Sequence, residues 1–165
     1  MAFTLTVERT SVFPASRHEV FQLLQRLETL QYVAAPFASF EPVTSANEAD
    51  AVSETKPFVW KAGNTSAYRF KLFGLIPFGT HAIHVIRFDE VAGILTHERN
   101  THVPVWNHAI RLEALDGTHT RYTDSVEIGA GWKTIPVFLW AQLFYAHRQR
   151  KWIRMFTAGN DDRSR

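Results

Sequence analysis

A chain of 165 residues with 45% hydrophobic and 21% charged side chains fits one globular domain with a core of its own. It contains no cysteine, which excludes disulfides, thiolate nucleophiles and zinc–thiolate sites. A formal charge of +2, with Lys and Arg interleaved with Asp and Glu, argues against a nucleic-acid footprint.

Along the chain, Phe3, Leu5 and Val7 alternate with Thr4, Thr6 and Glu8, the pattern of a half-buried strand that Pro14 stops. Ser16 followed three residues later by Glu19 is a capping box. Val20, Leu23, Leu24 and Leu27 then repeat at helical spacing, which predicts one helix or two short ones over residues 16–33, ended by Pro36. A short strand is expected at 37–43, and the Ser-, Asn- and Asp-containing stretch 44–55 reads as a surface loop. Strand patterns follow. Tyr68, Phe70 and Leu72 alternate, residues 74–79 form a connection, and further strands are expected at 82–88, 94–100, 106–115 and 120–128. Asp116-Gly117 signals a two-residue hairpin turn. Gly129 and Gly131 break the strand pattern, Thr134 caps a helix, and Pro136 suits its first turn. That helix is expected to run for about 35 Å to Gly159. The order predicts an α+β domain over residues 1–159, built on an antiparallel sheet, with a polar tail at 160–165.

The N-terminal residues show no basic start followed by an apolar stretch, so no signal peptide is read there. The most apolar segment, residues 135–146, is shorter than the roughly 20 residues of a spanning helix. A cytoplasmic protein without a transmembrane segment is expected. The basic run 147–151 lies near the expected helix end, where cations favour the negative end of the dipole.

Four segments carry a family resemblance: VERTSVFPASRHEVFQLL at 7–24, VPVWNHAI at 103–110, YTDSVEIGAG at 122–131 and LFYAHRQRKW at 143–152. In this order of elements they resemble the START and polyketide-cyclase-like superfamily (SRPBCC, the helix-grip proteins), in a less characterised bacterial branch. The resemblance implies a strongly curved antiparallel sheet gripping a long C-terminal helix, usually with a cavity between them. Its members are implied to include lipid carriers, hormone-binding proteins, aromatase/cyclases, a quinone-binding factor and chaperone activators. One fold hosts unrelated functions, so the activity has to be argued from the site.

Strand parity names the site residues. Trp106, His108, Ile110 and Leu112 share one strand face, and Tyr122, Asp124, Val126 and Ile128 share another. A two-residue turn at Asp116-Gly117 puts His108 opposite Ser125 and close to Asp124. The pair reads as a polar anchor for a ligand carbonyl or hydroxyl, as a general-base dyad, or as a buried pair that holds two strands in register. On the C-terminal helix, Phe138, Ala141, Tyr145, Arg148, Trp152 and Met155 form one stripe. Within it, Tyr145 and Arg148 are the polar members able to meet an acidic or phenolic group.

The ligand-binding set expected on these grounds is Phe70, Trp106, His108, Ile110, Tyr122, Asp124, Tyr145 and Arg148. His81 and His84 fall on opposite strand faces, and with no cysteine no metal site or cofactor is expected. Leu75, Ile76 and Phe78 in the glycine-flanked connection read as a lid, a membrane contact, a homodimer surface or locally buried residues. The leading expectation is a binding module for a hydrophobic or aromatic small molecule such as a lipid, polyketide or quinone. The alternatives are a cyclase, dehydratase or hydrolase using His108 and Asp124, and a protein-interaction module.

Overall fold

The computed structural model describes residues 3–43 and 60–163, so the surface loop expected at 44–55 lies outside the described residues. Strand β1 (Leu5–Phe13) is followed by helices α1 (Arg17–Leu24) and α2 (Leu27–Ala34). Strands β2 (Ala38–Pro42), β3 (Thr65–Leu72), β4 (Ile76–Asp89), β5 (Gly93–Asn100), β6 (Val103–Ala114) and β7 (Thr120–Gly129) come next. A single 3-10 turn (Gly131–Lys133) leads into the long helix α3 (Thr134–Arg163).

The local signals for the first helices hold. The Ser16 backbone N–H donates to Glu19 Oε2 at 2.9 Å, and the Glu19 N–H returns to Ser16 Oγ at 3.3 Å. Arg26 takes an extended conformation, which splits the helical stretch into two short helices. At the far end of the chain, Thr134 is fully buried; its hydroxyl accepts from Ala130 N–H and donates to Gly131 C=O, both at 2.8 Å. The entry into α3 is thereby fixed.

The seven strands form one sheet in the order β1-β7-β6-β5-β4-β3-β2, with every neighbouring pair antiparallel. Register shifts interrupt three ladders, between Arg69 and Lys71, Val85 and Arg87, and Glu98 and Asn100. Such irregularities bend and twist strands, and the sheet curves around α3. The α3 stripe expected from helical spacing does face it: Ala141, Tyr145, Arg148 and Trp152 are buried, and Phe138 and Met155 are half-buried. The architecture has the α+β class that the order of elements predicts and the helix grip that the family resemblance implies.

Three local expectations are corrected. Residues 74–79 are not a connection throughout, because β4 already begins at Ile76, paired with Leu72. Leu75 and Ile76 stay exposed, whereas Phe78 turns inward with its ring 5.9 Å from Phe70 and 4.7 Å from His102. The β6–β7 turn is one residue longer than the expected hairpin. Leu115 N–H donates to His119 C=O at 3.0 Å, and Asp116 Oδ1 accepts from the backbone of Thr118 and His119, each at 2.7 Å. The register becomes Ala114 opposite Thr120. Finally, α3 continues through Gly159, so the basic run 147–151 is not at its end. Lys151 Nζ instead donates to the carbonyls of Tyr32 and Ala35 at 2.7 and 2.9 Å, and His147 Nε2 lies 2.8 Å from the Ala35 carbonyl. Both residues serve the C-terminal carbonyls of α2, whose partial negative charge favours them. Among the described residues, no helix is long and apolar enough to cross a membrane.

Candidate functional site

Period-two alternation decides what the curved sheet presents to α3. The inner face carries His81, Ile83 and Val85 on β4, Ile94, Thr96, Glu98 and Asn100 on β5, and Trp106, His108, Ile110 and Leu112 on β6. Between these residues and α3 lies a cavity of about 400 Å³. Aromatic and aliphatic side chains make up most of its wall, among them Phe40, Phe70, Phe78, Trp106, Trp140 and Phe144. The polar groups that reach it include His81, Thr96, Glu98, His108, Tyr145 and Arg148.

Six of the eight residues expected from the sequence line this cavity: Phe70, Trp106, His108, Ile110, Tyr145 and Arg148. Tyr122 and Asp124 do not line it. Both are fully buried behind its wall. The Tyr122 ring is stacked on Phe13 with centroids 4.6 Å apart and lies 6.0 Å from Trp152, and its hydroxyl donates to Asp124 Oδ1 at 3.0 Å. Each is bonded to a side chain that does line it, Asp124 to His108 and Tyr122 to Arg148.

The polar side chains form a row that crosses four strands on the diagonal. His81 Nε2 is 2.7 Å from Glu98 Oε2, although the cross-strand partner of His81 is Asn100. Glu98 Oε1 accepts from the Thr96 hydroxyl at 2.6 Å and lies 3.8 Å from His108 Nδ1. His108 Nε2 is 2.8 Å from Asp124 Oδ1, although His108 stands opposite Val126. Each step is offset by two residues from the direct pair, a distance that long side chains span. An ionised carboxylate only accepts, so Nε2 of each histidine carries the proton of these bonds. Behind the row, Gln149 donates from Nε2 to Asp124 Oδ2 at 3.0 Å and to the Arg9 carbonyl at 2.9 Å, and accepts from Ser11 Oγ at 2.6 Å.

Electrostatics match this geometry. Burial works to raise the Asp124 pKa, but the charge of Arg148 and the bonds from His108 and Gln149 outweigh it and leave the pKa lowered. Glu98 is likewise lowered against the effect of burial, by the hydrogen bond and charge of His81, the charge of His108 and the Thr96 hydroxyl. Burial raises Tyr122 and Tyr145 well above the ordinary phenol value, so both remain protonated donors. Two carboxylates are therefore held ionised inside the fold.

Sequence reasoning missed Glu98, Thr96 and Gln149, and considered His81 only as a metal ligand. Parity on β5 contained the signal for the first two, since Ile94, Thr96, Glu98 and Asn100 alternate inward. Gln149 was hidden within the basic run. Among the described residues, no group of three or more His, Asp or Glu side chains is placed to hold a metal ion.

A curved antiparallel sheet, a long gripped helix and a cavity between them define a START-like helix-grip fold. Structures of this class superpose over nearly the whole chain. One is a START superfamily protein from Mycobacterium smegmatis, with a TM-score of 0.68 and 11% identity, covering 93% of this chain and 97% of that one. The Zhui aromatase/cyclase from Streptomyces sp. R1128 superposes with a TM-score of 0.62 and 12% identity over 99% of this chain and 97% of its own. Norcoclaurine synthase from Thalictrum flavum gives 0.61 and 9% identity over 93% and 87%. At these identities the likeness concerns the fold alone. The chain belongs to the family described as a domain of unknown function, DUF8410, which matches residues 11–156. No curated protein matches it in sequence.

Proposed function

We propose that the protein binds a hydrophobic or aromatic small molecule, of lipid, polyketide or quinone type, between its sheet and α3. The observation that carries this reading is the cavity of about 400 Å³, apolar over most of its wall and met by a few convergent polar side chains. Binding sites for small organic molecules have this form and size. A helix-grip relative offers support: the norcoclaurine synthase structure was solved in complex with dopamine and hydroxybenzaldehyde, both aromatic. Native mass spectrometry of gently purified protein tests the reading, together with titration by the uncharged fluorophore N-phenyl-1-naphthylamine. A co-purifying mass or saturable probe emission is expected. Folded protein that carries no ligand and leaves the probe dark would sink the idea.

One observation favours a second reading, that of an acid–base enzyme. His81, Glu98 and His108 line the cavity as one group, His81 Nε2 2.7 Å and His108 Nδ1 3.8 Å from Glu98, with Asp124 bonded to His108 from behind. In this reading His108 or Glu98 moves a proton on a bound substrate while Asp124 holds the imidazole in place. Unchanged turnover of a confirmed substrate by both His108→Ala and Glu98→Gln would remove it.

A further inference from the structure

The buried charges on the inner face are unequally served. Glu98 is met by His81 and Thr96, and Asp124 by His108, Tyr122 and Gln149. Arg148 is not. It is 5% exposed and lines the cavity, yet its one hydrogen bond among the described residues is a long one of 3.5 Å from Nη2 to the Tyr122 hydroxyl. Among the described residues its Nε has no hydrogen-bond partner, and no carboxylate lies within 4.0 Å of the guanidinium. The flat face of Tyr145 lies nearby, with Arg148 Cζ 5.7 Å from the ring centroid, which adds attraction but no acceptor.

A guanidinium carries five N–H donors in a rigid fork. Taking it out of water with one marginal bond is costly. Burial alone would lower its proton affinity, but the Tyr122 oxygen that accepts from it and the charge of Asp124 keep it ionised. The acceptor that this fork fits is a carboxylate, engaged through two parallel bonds. Glu98 and Asp124 turn their oxygens to other donors and neither reaches the fork, so a ligand carboxylate is the acceptor that completes it. The wall of the cavity that Arg148 lines is mostly aromatic and aliphatic, with Trp106, Ile110, Tyr145 and Trp152 among its members.

We propose that the cavity's ligand is an apolar or aromatic carboxylic acid whose carboxylate sits on the Arg148 guanidinium while its body fills the aromatic-lined space. This rests on the binding function proposed above and names the chemical class of the ligand. It assigns Arg148 as the residue that discriminates an acid from an uncharged molecule of the same shape.

The test compares 2-naphthoate with its uncharged methyl ester by isothermal titration calorimetry at pH 7, using the full chain and Arg148→Met. The wild-type protein is expected to bind the acid about tenfold or more tighter than the ester, the scale of a charge-assisted hydrogen bond. In Arg148→Met that preference is expected to vanish, the acid and the ester then binding alike. Should that variant fail to fold, the wild-type protein decides by NMR, because the Arg148 Nε–H resonance is expected to shift with 2-naphthoate and not with the ester. Equal binding of acid and ester by the wild type, a preference that survives Arg148→Met, or an unmoved Nε–H signal would overturn the assignment and leave the binding cavity standing. Failure of both compounds to bind would overturn the cavity reading and this one together.

Discussion

His108 and Asp124 are joined at 2.8 Å although neither is the other's cross-strand partner; His108 faces Val126 and Asp124 faces Ile110. The bond reaches diagonally across β6 and β7. It anchors one end of a polar row that continues through Glu98 to His81. The row lies where the sheet, α3 and the cavity meet, so substitutions along it separate support of the fold from contact with a ligand.

Asp124→Ala removes the acceptor for His108, Tyr122 and Gln149 in one step and takes a negative charge away from Arg148. Leaving such donors buried and unpaired costs about 3–5 kcal/mol. Urea denaturation is expected to show this loss. A change below about 1 kcal/mol would mean that water reaches the site and replaces the carboxylate.

Acid stability follows from the same residues. Glu98 and Asp124 have pKa values below their ordinary 4.5 and 3.8, so the unfolded chain takes up these protons before the folded protein does. The stability they contribute is complete above about pH 5 and is lost as pH falls through the lowered values. Melting temperatures measured from pH 7 down to pH 3 are expected to decline over that window. In Glu98→Gln the decline is expected to be shallower, and an identical slope would contradict the assignment.

Ile83 is buried on the inner face of β4 and lines the cavity. Ile83→Trp places a larger ring in that space at a repacking cost of about 1–3 kcal/mol. Binding of N-phenyl-1-naphthylamine is expected to weaken by about tenfold or more, since the probe then competes with a side chain for volume. Undiminished binding by this variant would locate the probe elsewhere.

Gly93 closes the β4–β5 turn with φ +87°, and a Cβ built there would stand 2.5 Å from the Ile110 carbonyl oxygen. Asp89 Oδ1 fixes the same turn by accepting from Val91 and Ala92 N–H at 2.8 and 2.6 Å. Gly93→Ala is expected to destabilise the protein by about 1–3 kcal/mol in chemical denaturation. Gly117→Ala meets no atom within 4 Å and serves as the control, with an expected change within about 0.5 kcal/mol.

Much of this architecture was legible because it rests on short-range periodicity. Alternation placed Trp106, His108 and Ile110 inward, and spacings of three and four placed Ala141, Tyr145, Arg148 and Trp152 on the gripped face of α3. The Ser16–Glu19 box marked a helix start for the same reason, since its bonds span three residues. Errors arose where a turn competed with a strand. The Gly74 and Gly79 flanks concealed the strand start at Ile76, and Asp116-Gly117 suggested a shorter loop than the one Asp116 organises.

The sequence by itself determined the order of elements, the inward set on each strand and the apolar stripe of the long helix, because these depend on the fixed periods of 2.0 and 3.6 residues. Only the tertiary structure decided which inward polar groups meet. The one-residue change of register at the β6–β7 turn put Val126 opposite His108 and left Asp124 on the diagonal, and the curvature of the sheet brought Glu98 between two histidines. It also decided that Asp124 and Tyr122 stand behind the cavity wall while Arg148, short of partners, stands at it. Those outcomes depend on side-chain reach across strands that are far apart in the chain, which no local period encodes.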